Sequence, residues 1–523
     1  MTRHEVREPR STRRSSKGDP KPQASGGGKA VPVNERMRQL QLPFETAEVP
    51  GRTRPDVDDG VACGQPKATP PATPKSKVKE EKSSSATMEE VTERLGAAFA
   101  RVSSNKGAPG PDRQSIQEVR RHLETLLPSL KASLLDGSYR PGDIRRVWIP
   151  KSGGGQRGLG IPNVIDRVVQ EAVRQVLEPQ YEPTFHDASH GFRPGRGCHT
   201  AIAAARRHLE EGYEWVVDLD LEKFFDTVHQ QRLMSRLAER IADRRLLVLI
   251  GRMLKAKVVM PDGLVVSTEE GVPQGGPLSP LLSNVVLDEL DSELSRRGYR
   301  FVRYADDANI YVRSERAGHR VMASVTRFIE RRLRLKVNAS KSAVARPEER
   351  HFLGFRLGRN AMTEEIEVLL SKRSKDRIDE KIRALTPRTW GSSLEACIAR
   401  ASEYLSGWIG YFGVCTEGVG RTLQALDAHV RRRLRAIQLA HWKGRQTIIR
   451  NLVNLGVKRQ SAWNSVSKGR PSLWALSHRH AVDRGLCNAY FAERGLVSLV
   501  SRWQAMSRKN VGAPAQAVLG LGQ

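Results

Sequence analysis

Cysteine pairs are missing from this chain. Its five cysteines, Cys63, Cys198, Cys397, Cys415 and Cys487, are scattered, and no two form a CxxC. That spacing excludes zinc fingers and ribbons. An odd, dispersed set also argues against a secreted disulfide scaffold and for reduced thiols in a cytoplasmic compartment. No uncharged apolar run reaches the ~20 residues a membrane-crossing helix requires. The opening MTRHEVREPRSTRRSS is charged but lacks the apolar stretch of a secretory signal. The glycine-rich GGGQRGLG at 153–160 fits neither GxGxxG opening a helix nor GxxxxGKS, so it supports neither dinucleotide-binding motif nor P-loop. His186, His190 and His199 lie close together without the glutamate of HExxH, which speaks against a protease-type zinc site. Acid is also scarce: 58 Asp+Glu face 87 Lys+Arg, a formal charge of +29. Such an excess points to a polyanionic partner, nucleic acid first, and leaves a membrane no more than weak surface attraction.

What is present divides unevenly. Residues 1–86 are rich in Pro, Gly, Ser, Lys and Arg with almost no aromatics. They read as a disordered basic low-complexity tail that cannot bury enough apolar surface to order itself. From Thr87 the pattern changes. Val91, Leu95, Ala98 and Phe99 recur at helical spacing. More helix is expected over 118–139, interrupted at Pro128, then a hairpin over 144–162 and a further helix from Asp166. EWVVDLDLEKFF at 214–225 reads as a strand entering a turn. KVVMPDGLVVST at 257–268 reads as an exposed hairpin, followed by a helix from Pro280 to Arg297. Beyond 371 the chain reads as helical and basic. The expected fold class is α+β.

FVRYADDANIYV at 301–312 carries two adjacent aspartates inside strand-like flanks. A tight turn tolerates Asp, so the stretch reads as a hairpin with Asp306 and Asp307 at its tip. A divalent cation relieves their repulsion, and Mg²⁺ prefers hard carboxylate oxygens. Upstream, VVDLDLEKFFD places Asp218 and Asp220 on one face of a strand. Together the two elements form a carboxylate cradle for two Mg²⁺ ions, the arrangement that serves in-line phosphoryl displacement.

The YADD at 304–307 resembles the active-site hairpin of reverse transcriptases, and DLEKFFD at 220–226 their first carboxylate motif. GVPQGGPLSPLLSNVVLDELD (271–291) resembles the loop and helix lining the nucleotide pocket. RRVWIPKSGGGQRGLGIPNVIDRVVQEAV and HGFRPGRGCHTAI resemble the fingers of bacterial group II intron-encoded proteins, and KVNASKSAVARPEERHFLGFRL (336–357) the segment closing the palm. The resemblance implies a right-hand polymerase: extension and fingers over 87–213, a palm with an antiparallel sheet over 214–370, and a helical thumb and maturase domain over 371–523. It implies Asp220, Asp306 and Asp307 as catalytic metal ligands, with Asp218 the alternative to Asp220. Lys151, Arg157 and Gln274 would meet the incoming dNTP, Phe224 would exclude the ribose 2′-hydroxyl, and Lys341 would protonate the leaving pyrophosphate.

Residues 371–523 hold 26 Lys+Arg against 9 Asp+Glu. Cations interleaved with aromatics suit an RNA or hybrid groove. SGWIGYFGV, LDAHVRRRLRAIQLAHWKGRQTIIRNLVNLGV and CNAYFAERGLVSL resemble the thumb and maturase domain of the same family. Arg431, Arg432, Arg433, Arg435, Lys443 and Arg445 are the candidate RNA contacts. The implied partners are intron RNA, an RNA template with its DNA primer, target DNA and dNTPs, with no membrane. The implied function is copying group II intron RNA into cDNA and, as a maturase, promoting splicing and retrohoming, at the nucleoid in a bacterial cytoplasm. No HNH-like string or cysteine pair follows GLVSL, so cleavage of a second target strand is not expected of this chain. Two alternatives share these motifs: a host-recruited reverse transcriptase in defence or DNA repair, and a maturase that only assists splicing.

Overall fold

The structure is a computed structural model describing residues 86–150, 154–468 and 472–511. The expected tail over 1–86 lies outside the described residues apart from Ala86.

Helix Met88–Ser104 starts where Thr87 accepts the Glu90 amide on its hydroxyl, with Glu89 and Glu90 in the first turn. Both features satisfy or complement the helix N-terminus. Its buried stripe, Val91, Leu95, Ala98, Phe99 and Val102, packs on helix Val164–Tyr181. The helical stretch between them breaks at His122, between helices Ile116–Arg121 and Leu123–Leu135, and not at Pro128 as expected. Pro128 and Glu124 lie on an exposed flank, so water can satisfy the carbonyl that proline leaves unpaired.

Among the described residues, ten strands follow in chain order. Strands β1 (Ile144–Pro150) and β2 (Gln156–Ile161) form the expected hairpin. Strand β3 (Trp215–Asp220) comes next, then the short pair β4 (Val258–Val259) and β5 (Val265–Val266), of which β4 joins β1 in parallel. Strands β6 (Arg300–Tyr304) and β7 (Asp307–Val312) form the aspartate hairpin, followed by β8 (Ala343–Ala345) and the pair β9 (Phe355–Arg359) and β10 (Ile366–Leu370). The central sheet is antiparallel in the order β6-β7-β3-β8.

Side chains alternate across this sheet with a period of two. Val217, Leu219, Phe301 and Ile310 face one apolar core, shared with helix Ser279–Arg296. Val216, Val302 and Tyr311 face a second, shared with helix Cys198–Glu210 and with β9 and β10. Beyond β10 the chain is helical, led by Lys372–Leu385, Leu394–Phe412 and Gly420–Trp442. The α+β class and the helical C-terminal part match the expectation.

Candidate active site and basic surface

The hairpin turn holds two residues, Ala305 and Asp306, because Tyr304 pairs with Asp307. Ala305 has φ of 56°, a left-handed conformation that a non-glycine residue adopts only when its surroundings impose it. Buried Arg303 does so. Its Nε and Nη2 bind Asp291 at 2.7 and 2.5 Å, and Nη2 also reaches Ser189 Oγ at 2.7 Å. Its Nη1 donates to Asn284 Oδ1 at 3.1 Å and to the Ala305 carbonyl at 2.9 Å. The guanidinium thus ties the turn to helix Ser279–Arg296. Sequence reasoning missed this group. The available signal was a cation in the middle of the apolar strand FVRY.

Pairing of β3 with β7 sets Asp220 opposite Asp307 and Asp218 opposite Asn309. Solvent reaches Asp307, yet the protein mass around it, and then the charges of Asp306, Asp218 and Asp220, push its carboxyl up to about 7. Asp306 is also raised, first by burial and then by Asp220, while Arg157 and Lys341 pull the other way. Asp220 receives Lys341 Nζ at 3.0 Å, and its amide donates to Ser342 Oγ at 3.0 Å. Asp218 is held by Arg350, Nη2 at 2.6 Å and Nε at 2.8 Å. Burial nevertheless raises it. Asp220 thus stands directly opposite Asp307 and carries Lys341, whereas Asp218, whose charge also reaches Asp307, is engaged by Arg350.

Among the described residues, no three acidic, histidine or cysteine side chains converge closely enough to hold one ion together. The surplus negative charge around Asp307, with a lysine ammonium resting on Asp220, is nonetheless the setting a divalent cation relieves. The residues fit such a group.

Arg157 joins this cluster electrostatically through Asp306, and its Nε donates to Gln274 Oε1 at 2.9 Å. The Gln274 carbonyl accepts the Gly160 amide at 2.7 Å. Gly275 follows at φ 116°, where an added Cβ would stand 2.4 Å from the Gly160 carbonyl oxygen, so only glycine lets the loop approach β2 so closely. Lys151 lies outside the described residues. Two histidines bond elsewhere: His190 Nδ1 to Thr200 Oγ1 at 2.8 Å and His199 Nε2 to the Tyr411 carbonyl at 2.7 Å. His186 stacks on Phe301.

Phe224 requires a correction. Its side chain is 2% exposed and belongs to the main core, so it cannot lie beneath a sugar. Phe225, set edge-on against it at 5.2 Å, is only partly buried. The Phe225 carbonyl accepts the Val272 amide at 2.7 Å, next to the loop that carries Gln274. Adjacent phenylalanines on one short helix differ by about 100° in direction, and that rotation separates the core ring from the accessible one.

The basic surface also requires correction. Arg433 donates to the Thr386 carbonyl at 2.6 Å and its hydroxyl at 2.6 Å, closing the end of helix Lys372–Leu385. Arg435 is buried, with Nε on the Leu486 carbonyl at 2.9 Å and Nη1 on Asp483 at 2.5 Å. Both brace the fold and are not free for RNA. Arg432 lies over the Trp474 ring at 4.1 Å. Arg431 is half-buried, whereas Lys443, Arg445 and Arg450 are exposed, as is Trp463.

Strand order, hairpin and facing carboxylates are those of a right-hand nucleic-acid polymerase. Residues 149–357 match the reverse transcriptase (RNA-dependent DNA polymerase) family, and residues 375–453 match the group II intron, maturase-specific domain. Protein YkfC of Escherichia coli (strain K12) is 36% identical over 303 residues, covering 50% of this chain and 79% of that protein. The group II intron-encoded protein LtrA of Lactococcus lactis subsp. cremoris is 38% identical over 210 residues, covering 39% of this chain and 34% of LtrA. A chain of a partial Cas6-RT-Cas1–Cas2 complex shares 27% identity at a TM-score of 0.31, covering 47% of this chain and 43% of that one. The chain belongs to the family of group II intron-encoded reverse transcriptases and maturases. It is an RNA-directed DNA polymerase joined to a maturase domain, with intron RNA as a partner. Reverse transcriptases of this kind use divalent metal ions. Among the described residues no helix is long and apolar enough to cross a membrane.

Proposed function

We propose that this chain copies group II intron RNA into cDNA from a primer 3′-hydroxyl, and binds the same RNA to promote splicing and retrohoming into target DNA. It works in the cytoplasm, at the nucleoid where that DNA lies. The observation that carries the reading is Asp220 standing opposite Asp307 in the β3–β7 pairing, with Asp306 beside them in the turn and Arg157 and Lys341 acting on these carboxylates. We divide the chain at 87, 214 and 371 into tail, fingers, palm, and thumb with maturase.

Asp220, Asp306 and Asp307 would hold two Mg²⁺ ions. When bound, the ions stabilise charge on both the attacking and the leaving oxygen of the displacement. Arg157 and Gln274, already bonded to each other, orient the triphosphate, a task the family resemblance also gives Lys151. Lys341, which rests on Asp220 at 3.0 Å, would be the group that protonates the leaving pyrophosphate. Primer extension on an RNA template, with wild type against an Asp306→Asn, Asp307→Asn variant, tests the reading.

Phe225 takes the sugar-selecting role. Phe225→Ala should lower discrimination against NTPs by tenfold or more, on the order of what one steric contact supplies. Phe224→Ala should instead cost about 3–5 kcal/mol of stability, the usual toll for emptying a core aromatic site. Competing dATP against ATP in single-nucleotide extension decides between the two rings; an unselective Phe224→Ala with a normal melting point would restore Phe224.

For RNA, the surface narrows to Arg431, Lys443 and Arg445, joined by Arg450. Replacing Lys443, Arg445 and Arg450 with Ala should flatten the plot of log affinity against log salt by about 2, near 0.7 for each phosphate no longer neutralised. Arg435→Ala should leave that slope unchanged and lower the melting temperature. An unaltered slope in the triple variant would move the RNA elsewhere.

A further inference from the structure

Phe192 is an exposed aromatic in an unfavourable backbone conformation. Its φ is 59°, its side chain is 41% exposed, and it belongs to neither apolar core. A bulky residue in the left-handed region marks a position that its surroundings over-determine.

Both neighbours impose the conformation. Arg193 is buried, with Nε on Glu182 Oε1 at 2.9 Å and Nη1 on the carbonyls of His186 and Ser189 at 2.7 and 2.9 Å. Gly191 presses on the catalytic turn so closely that a Cβ would stand 2.3 Å from the Ala305 nitrogen. Its carbonyl accepts Asn284 Nδ2 at 2.9 Å. The segment is thus fixed to the palm on either side, and Phe192 is the side chain it presents outward. The ring centroid lies 6.4 Å from that of Tyr304, the first residue of YADD.

We infer that Phe192 is a binding residue for the primer end, its ring packing against the sugar and base edge of the last primer–template base pair. The inference rests on the polymerase reading: a 3′-hydroxyl poised for extension would stand at Asp306, so the last base pair would lie over the hairpin turn, beside Tyr304 and the Phe192 ring next to it. An aromatic ring suits any sequence, because every nucleotide offers the same sugar and every base a π-face. Backbone strain is tolerated here because it aims the ring, which a core role would have hidden. Its ring neighbour is Tyr304 rather than Arg157 or Gln274, so the contact concerns the nucleic acid already paired and not the incoming nucleotide.

Glycine at 192 removes the ring and relieves the backbone together, which separates binding from folding. Phe192→Gly should melt at or above the wild-type temperature and bind an RNA-template/DNA-primer hybrid about tenfold more weakly. Its KM for dNTP should be unchanged. Phe192→Tyr should restore hybrid binding. Fluorescence anisotropy with a labelled primer measures the Kd, and single-nucleotide extension the KM. Wild-type Kd in Phe192→Gly would overturn the inference, as would a lowered melting temperature, a changed dNTP KM with unchanged Kd, or failure of tyrosine to rescue. Extension of the same hybrid by the wild type is a separate control: its absence would count against the polymerase reading, while the Kd comparison reports on Phe192 alone.

Discussion

The Asp306→Asn, Asp307→Asn variant should lose primer extension by about a thousandfold or more. Charge stabilisation of the transferring phosphoryl group is worth several kcal/mol, and each 1.36 kcal/mol is tenfold in rate. The same variant should be more stable than wild type when metal is chelated. In the wild type the folded protein holds the Asp307 proton more tightly than the unfolded chain does, because burial and three neighbouring carboxylates raise it from an ordinary 3.8 to about 7. Ionising it therefore works against the fold. The stability it contributes is complete below 3.8 and is lost as pH rises through about 7. Thermal melts in EDTA across that window should fall for the wild type and flatten for the variant. A wild-type midpoint that climbs over the window would contradict the crowding described at the β3–β7 pairing, and residual extension near the wild-type rate would remove the hairpin from catalysis.

Arg303→Leu should unfold or severely destabilise the palm. Arg303 and Asp291 are both fully buried, and removing one partner of such a pair leaves an uncompensated charge that costs about 3–5 kcal/mol. The loss is more than electrostatic. Asn284, Ser189 and the Ala305 carbonyl lose their donor together, and each buried polar group left unpaired adds roughly 1–3 kcal/mol. Arg303→Lys should fare little better, since a point charge cannot reproduce the planar fork. Urea unfolding followed by circular dichroism measures both. A midpoint shift of less than about 1 kcal/mol in Arg303→Leu, the size of an ordinary surface substitution, would show that the network is ornamental.

The sequence displayed the strands and the carboxylates because both follow short-range rules: alternation for β3 and β7, turn chemistry for the hairpin. The loop carrying Gln274 was legible only through the family resemblance of PQGG; that glycine at Gly275 lets it approach β2 came from the structure. The sequence hid whatever depends on direction around a helix. Phe224 and Phe225 are chemically identical, and only the packed core tells which ring is accessible. Arg433 and Arg435 look in the sequence like Arg431, and only the helices packed against them supply the carbonyls and the aspartate they bind. Charge in a sequence marks a basic helix; tertiary structure decides which of its cations remain for RNA. Pro128 misled for a related reason: the helix turns it and Glu124 to an exposed flank, where water can satisfy the orphaned carbonyl.

The two-faced burial of the central sheet bears on how this lineage can change. One continuous apolar cluster runs from Val216, Val302 and Tyr311 through helix Cys198–Glu210 and β10 into helices Leu394–Phe412 and Gly420–Trp442. The maturase side therefore leans on the palm. A descendant that kept only splicing could shed Asp306 and Asp307, whose proposed role is in the polymerase chemistry alone. It could not discard the strands that carry them. Polymerase decay in such a lineage would leave an emptied hairpin on an intact sheet, a catalytic centre reduced to masonry.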